Sequence, residues 1–485
     1  SRRQRQMCIR DRDQIGGHRF IYQHLQCTRH SFITHKIIII IVLLGLIMGA
    51  LVYQLRLAGE GETTITAKEL KGQIVDITHE TISLRDDNNI VYTVDCQKAK
   101  IKGDELQYGN LVTIKYTGKL EQTTAIQAID VLGLNVQAVQ VRNGGTGNTD
   151  ATIASHKIAV MVEKMTLEQK IAQLFLARCP ESQAVELLSQ YQLGGYMLYN
   201  RDFHNRTREE VIENIQSYQK AVTIPMLIAV DEEGGTVVRV SNNLRSNKFR
   251  SPQDVFKAGG MDAIISDATE KSEFLKEFGI NVNIGPVADV AMSKDDFIYQ
   301  RSFGTDPNET AEFVKNVVKA MNDIKMGSVL KHFPGYGNVA DNHTAICHDS
   351  RDYDSLVNND FLPFKAGISA GANSILISHI VVDSIDDQNL ASLSPRVSKI
   401  LRDDLNYHGV IIADDISMAS AKAFGSEGEV ALKAIKAGND LIMTSNPQEH
   451  ISALITAAKN DEICLNSLDR SVMRILTWKS QLGIL

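Results

Sequence analysis

Six ionisable residues, Asp231, Asp289, Lys331, His332, His379 and Asp414, stand at or near the ends of short apolar runs. One aspartate in such a place is an ordinary helix N-cap. Six groups of both signs, gathered on one rim, could hold and attack a polar substrate. The densest stretch is Lys331-His-Phe-Pro-Gly-Tyr-Gly-Asn-Val-Ala-Asp-Asn-His343. Lys331 and His332 offer hydrogen-bond donors, and Pro334, Gly335 and Gly337 impose an irregular loop after them. That loop carries Asp341 and His343, two residues apart, close enough in an extended segment for carboxylate and imidazole to meet. Such a pair fixes the ring tautomer, so that His343 can give a proton to a leaving group and take one back from water. A metal site would need a third ligand beside His332 and His343, and no metal or other cofactor is expected. The second carrier is Ala413-Asp-Asp-Ile-Ser-Met418. Neighbours on a strand face opposite sides, so only one of Asp414 and Asp415 can face a pocket, and alternation does not choose between them.

Side chains so far apart in sequence need a scaffold that brings run ends together. From about residue 155, helix-like patterns alternate with GGYMLYN (194–200), IPMLIAVDEEGG (224–235), INVNIGPVADV (280–290), GSVLKHFPG (327–335), NSILISHIVVD (373–383), GVIIADD (409–415) and DLIMTS (440–445). Strands this apolar fit a parallel sheet covered on both faces. Their alternation with helices over 155–485 predicts an α/β fold, a (β/α)8 TIM-type barrel, whose C-terminal rim gathers strand-end residues. A doubly wound sheet is the competing architecture, but neither G-x-G-x-x-G nor GxxxxGK[ST] follows an early run. Thr166 and Gln169 have the spacing of a capping box that opens the first helix.

Upstream, five β-branched segments over 63–135 predict a small β-barrel-like module, with residues 136–154 as a linker around NGGTGNTD (143–150). The module has no aromatic stripe, which favours a spacer or docking role. Ile37–Tyr53 is an uninterrupted apolar or small-residue run, just long enough to cross a hydrocarbon core of about 30 Å. Arg29 and Lys36 precede it and Glu60 and Glu62 follow, so it is expected to be a single-pass membrane anchor with the catalytic domain extracellular. Residues 1–36 are then a cytoplasmic N-terminus or foreign sequence, since the first dozen have neither apolar periodicity nor a cap. With 43% hydrophobic and 22% charged residues among 485, the chain is neither disordered nor a polytopic membrane protein. A net charge of −7 without a basic run in the exported part leaves no footprint for nucleic acid. The six cysteines are scattered, which excludes a disulfide framework or zinc cage by spacing.

MTLEQKIAQLF, DEEGG, RSFG, KHFPGYG with DNH, and ADDISM occur in that order over about 160–485. Together they resemble the catalytic barrel of glycoside hydrolase family 3, and more narrowly its bacterial β-N-acetylglucosaminidase (β-N-acetylhexosaminidase) branch. The resemblance implies a retaining exo-glycosidase that removes terminal β-N-acetylglucosamine from cell-wall-derived amino sugars. It implies Asp414, rather than Asp415, as nucleophile, His343 as acid/base and Asp341 as its partner. Asp231, Arg239, Arg301, Lys331 and His332 would hold the sugar. Many relatives that cleave glucosides take their proton donor from a second domain after the barrel. Here the chain ends after a last helical stretch (468–482), so the donor is expected from a barrel loop. Two departures stand out: Tyr336 replaces a common histidine, and the loop from Gly337 to Asp341 is one residue shorter. A β-glucosidase, β-xylosidase or glycoside phosphorylase is the enzymatic alternative. A non-catalytic wall-binding protein would be expected to lose Asp414, Asp341 or His343, and all three are present. Trp478 is the only tryptophan, so the chain lacks platforms for long polysaccharides and favours a small terminal sugar.

Overall fold

Thr166 opens the barrel as its spacing predicts. Its hydroxyl accepts from Gln169 N (3.2 Å), and the Gln169 side chain accepts from Thr166 N (2.9 Å). The helix Leu167–Gln173 then gives way almost at once to strand β7 (Phe175–Arg178). This strand is missing from the seven runs read above, because four residues directly behind a helix, with no turn residue between, do not interrupt the apolar pattern. The structure is a computed structural model that describes residues 68–77, 81–86, 91–95, 99–102, 111–117, 135–142, 149–340 and 346–485.

The other barrel strands are β8 (Gly195–Leu198), β9 (Leu227–Val230), β10 (Val282–Asn283), β11 (Gly327–Phe333), β13 (Ser374–Ile377), β15 (Val410–Ala413) and β16 (Leu441–Thr444). All pair in parallel in chain order, and β16 closes on β7, giving an eight-stranded barrel. Helices lie between successive strands, as in the expected TIM-type architecture. Every residue of β8, β9, β11, β13, β15 and β16 is buried, which is why these runs are apolar throughout. Burying each Leu, Ile or Val contributes about 1.5–3 kcal/mol. Trp478, on the closing helix Leu465–Gln481, belongs to this core and packs where β11 begins, at Gly327. Two short strands, β12 (Cys347–Asp349) and β14 (Ile380–Val382), pair in parallel outside the barrel.

The upstream module is a six-stranded sheet in the order β3-β2-β1-β5-β6-β4, made of β1 (Lys68–Ile77), β2 (Thr81–Arg85), β3 (Val91–Asp95), β4 (Lys100–Lys102), β5 (Leu111–Thr117) and β6 (Asn135–Arg142). Only β4 and β6 pair in parallel. Strand β6 occupies the start of the stretch read as linker, and the helix Thr149–Lys164 begins near its end. The last of the five expected segments, AIQAIDVLG (125–133), lies outside the described residues. Among the described residues no helix is long and apolar enough to cross a membrane, and the run Ile37–Tyr53 lies outside them.

Candidate active site

Because every barrel strand runs the same way, the residues just past each C-terminal end share one rim. Asp231 follows β9, Lys331 and His332 lie within β11, and Asp289 follows β10. Lys331 Nζ, almost wholly buried, reaches Asp231 Oδ1 at 2.8 Å and Glu233 Oε1 at 2.5 Å. Arg301 grips the same Glu233 with two bonds, Nη2 to Oε1 at 2.7 Å and Nε to Oε2 at 3.0 Å. Its Nη2 also lies 3.2 Å from His332 Nε2. Arginine can only donate, so Nε2 accepts and the ring proton rests on Nδ1, which faces Asp289 Oδ2 at 2.7 Å. Asp289 further accepts from the backbone of His332 (3.1 Å) and Tyr336 (2.9 Å). The result is a continuous chain in which each polar group fixes the next: Asp231, Lys331, Glu233 and Arg301 alternate in sign, and the His332 ring links Arg301 to Asp289. Burial opposes the charge on Glu233, but Lys331 and then Arg301 hold its carboxyl far below the usual range.

Arg239 stands at the open end of this chain, with Nη2 3.7 Å from Asp231 Oδ2. Its Nε is buried with no hydrogen-bond partner among the described residues. All five sugar-holding residues implied by the motifs are therefore brought together. Glu233 was missed, although it lies two positions past Asp231 in DEEGG, on the same side if the chain stays extended. Its neighbour Glu232 faces away: it accepts from the backbone of Arg239 (2.9 Å), Val240 (2.7 Å) and Ser241 (3.3 Å), and so shapes the loop that carries Arg239.

Asp414 and Asp415 follow β15. The Asp415 carboxylate is occupied: Oδ1 accepts from Ser417 N (2.9 Å) and Oδ2 from Ser445 Oγ (2.8 Å). His379, two residues past β13, is fully buried. Its Nε2 donates to the Asp415 carbonyl (3.0 Å), and its Nδ1 meets Ser392 Oγ at 2.6 Å. Asp414 accepts only from the Asp415 backbone (2.8 Å), and no side chain donates to it among the described residues. Ser417 and Ser445 thus pin the Asp415 carboxylate as scaffold, with His379 on its carbonyl, and the Asp414 carboxylate is left available. Tyr199, which the sequence reading overlooked, extends past β8 in register with Asp231, because Leu198 pairs with Val230. Arg178 lies over its ring at 4.7 Å. Burial raises the Tyr199 phenol pKa, and the nearby Asp231, Asp415 and Asp414 raise it further. The phenol therefore stays protonated and senses carboxylates from both sides of the mouth.

Tyr336, the substitution in KHFPGYG, is buried edge-on to His332 at 5.0 Å, as part of the wall. Asp341 and His343 lie outside the described residues. Among the described residues, no three His, Cys, Asp or Glu side chains converge as a metal site requires.

The family profile described as glycosyl hydrolase family 3 N terminal domain matches residues 166–478. The beta-hexosaminidase of Xanthomonas campestris pv. campestris is 29% identical over 300 residues, 60% of this chain and 90% of that protein. That of Haemophilus influenzae is 31% identical over 295 residues, 58% of this chain and 81% of its own. Among solved structures, a β-N-acetylhexosaminidase from Beutenbergia cavernae matches with a TM-score of 0.61 at 27% identity, over 65% of this chain and 99% of that one. The matched span is the whole barrel, with the charged rim inside it, and the chain belongs to glycosyl hydrolase family 3.

Proposed function

We propose that this family 3 glycoside hydrolase is a retaining exo-β-N-acetylhexosaminidase, which releases terminal β-N-acetylglucosamine from cell-wall-derived amino sugars. The observation that carries this reading is the division of labour at the rim, where one carboxylate, Asp414, is left available across from a preorganised polar chain. Asp231, Arg239, Arg301, Lys331 and His332 would bind the hydroxyls and acetamido group of the terminal sugar. Their mutual bonds hold them in place before substrate arrives, so little reorganisation is left for the reaction. Asp414 attacks the anomeric carbon as the glycosidic oxygen departs, forming a covalent glycosyl-enzyme. His343, oriented by Asp341, protonates that oxygen and then takes a proton from the water that releases the sugar. Beta-hexosaminidase relatives that this chain matches over most of their own length support the substrate class. The sequence of residues 37–53 supports a membrane-tethered enzyme with its barrel outside the cell; fractionation of cells followed by protease shaving tests this.

Trapping with a 5-fluoro N-acetylglucosaminyl fluoride, then peptide mass mapping, should place the sugar on Asp414. A label on Asp415, or none at all, contradicts the mechanism. Turnover of p-nitrophenyl N-acetylglucosaminide well above that of the glucoside and xyloside is expected. The reverse preference would move the enzyme to the glucosidase reading, and phosphate-dependent turnover to the phosphorylase reading.

A further inference from the structure

Arg351 lies outside the sugar-holding chain, yet it makes one of the densest sets of bonds in the barrel. Its Nε reaches both oxygens of Asp349 (2.9 and 3.1 Å), and Nη2 adds a third bond to Asp349 Oδ2 (2.7 Å). Nη1 donates to Asp360 Oδ2 (2.8 Å), and Nη2 also donates to the Gly335 carbonyl (3.1 Å). All three charged side chains are buried or nearly so. Gly335 and Gly337 both have positive φ, +119° and +51°, which favours glycine. Space demands glycine as well. A Cβ on Gly335 would fall 2.3 Å from Asp360 Oδ1, and one on Gly337 would fall 2.3 Å from the Arg351 guanidinium carbon. The backbone turn leaving β11 is thus seated directly on the ion cluster.

The cluster holds the other flank too. Asp349 ends β12, and its carbonyl accepts from Asp383 N (3.0 Å), just past β14. Asp360 immediately precedes the helix Phe361–Ser369, whose Phe361 and Phe364 pack on Phe333 of β11 with ring centroids 5.3 and 5.1 Å apart. We infer that Arg351, Asp360 and Asp349 form a positioning clasp, which fixes both ends of the segment bearing Asp341 and His343 and thereby governs proton delivery to the leaving group without touching substrate. This inference rests on His343 being the acid/base.

Two carboxylates share one guanidinium here, and Asp360 Oδ1 is buried with no hydrogen-bond partner among the described residues. Burial raises the Asp360 pKa, Arg351 lowers it, and Asp289 and Asp349 raise it again, to about 7. The clasp therefore changes its charge close to neutral pH.

The test is Asp360→Asn, which keeps the shape and removes the charge, measured on folded protein beside H343A. On p-nitrophenyl N-acetylglucosaminide, whose leaving group needs little protonation, D360N should keep kcat within about threefold of wild type. On methyl N-acetylglucosaminide, which needs a proton, kcat should fall by about tenfold or more, with KM little changed. Equal losses on both substrates, or none, alongside a leaving-group-dependent loss in H343A, overturn the clasp alone. If H343A shows no such dependence, the acid/base reading fails and takes the clasp's purpose with it. If D360N does not fold, the wild-type ratio of kcat for methyl to p-nitrophenyl substrates is followed from about pH 8 down to pH 5.5. Protonation of the general acid alone raises this ratio as pH falls. A loosening clasp lowers it below about pH 7, and a ratio that only rises refutes the proposal.

Discussion

Asp414 and Asp415 differ in nothing a sequence can express except position, and their partners set them apart. Ser417 and Ser445 claim one carboxylate, whereas only a neighbouring backbone N–H reaches the other. Asp414→Asn should therefore lower kcat by about 10³-fold or more, because the covalent step loses its nucleophile. Asp415→Asn should lose far less, and azide added with an activated substrate should rescue Asp414→Ala or →Gly but not D415N. Comparable losses in the two Asn variants would remove the distinction drawn between them. The strand-end reading found most of the rim because aspartate, lysine and histidine are conspicuous after apolar runs. It could not assign His379, whose two ring nitrogens are spent on Ser392 and the Asp415 carbonyl. It also passed over Tyr199, since an aromatic at the end of an apolar run reads as more core.

Seven of the eight barrel strands were visible as apolar runs between helices, which sufficed to name the architecture. The eighth, β7, was hidden because its four residues follow a helix without a break in pattern. Strand β6 was hidden for the opposite reason. NVQAVQVR alternates polar and apolar residues but sits beside a Gly/Asn-rich stretch that reads as linker. Elements far apart in sequence are also tied at the strand starts by one residue. Asp440, just before β16, accepts from Ile411 N (3.0 Å) and Arg402 Nη2 (2.5 Å), and from Ser471 Oγ (2.8 Å) and Arg474 Nη1 (2.9 Å) on the closing helix. Burial works against its charge, but Arg474 and Arg402 outweigh that and lower its pKa. Asp440→Ala should cost about 3–5 kcal/mol in denaturant unfolding, because it leaves Arg402 buried and unpaired. A loss under about 1 kcal/mol would mean that water replaces the carboxylate.

Across the whole molecule, two buried groups bend the stability–pH curve in opposite senses near neutrality. For Asp360, with an ordinary pKa of 3.8 and a folded value of about 7, the folded state holds a proton that the unfolded state has lost over that interval, so stability falls as pH rises through it. Lys479 donates to Gln173 Oε1 (2.8 Å) in the core, and burial lowers its amine pKa from 10.5 to about 7. There the unfolded state holds the extra proton, so stability climbs as pH rises from about 7 towards 10.5. Measured against Lys479→Met, the wild-type melting temperature should gain between pH 7 and pH 10, and parallel curves would show that the amine is not depressed. Measured against D360N, it should decline between pH 4 and pH 7. The seat of Trp478 has a practical outcome for all such measurements. A single indole, wedged at the foot of the strand that bears Lys331 and His332, makes the chain's tryptophan fluorescence a report on the barrel alone. Its emission should shift to the red in step with the loss of catalysis on denaturation, and stay silent if the amino-terminal sheet melts first.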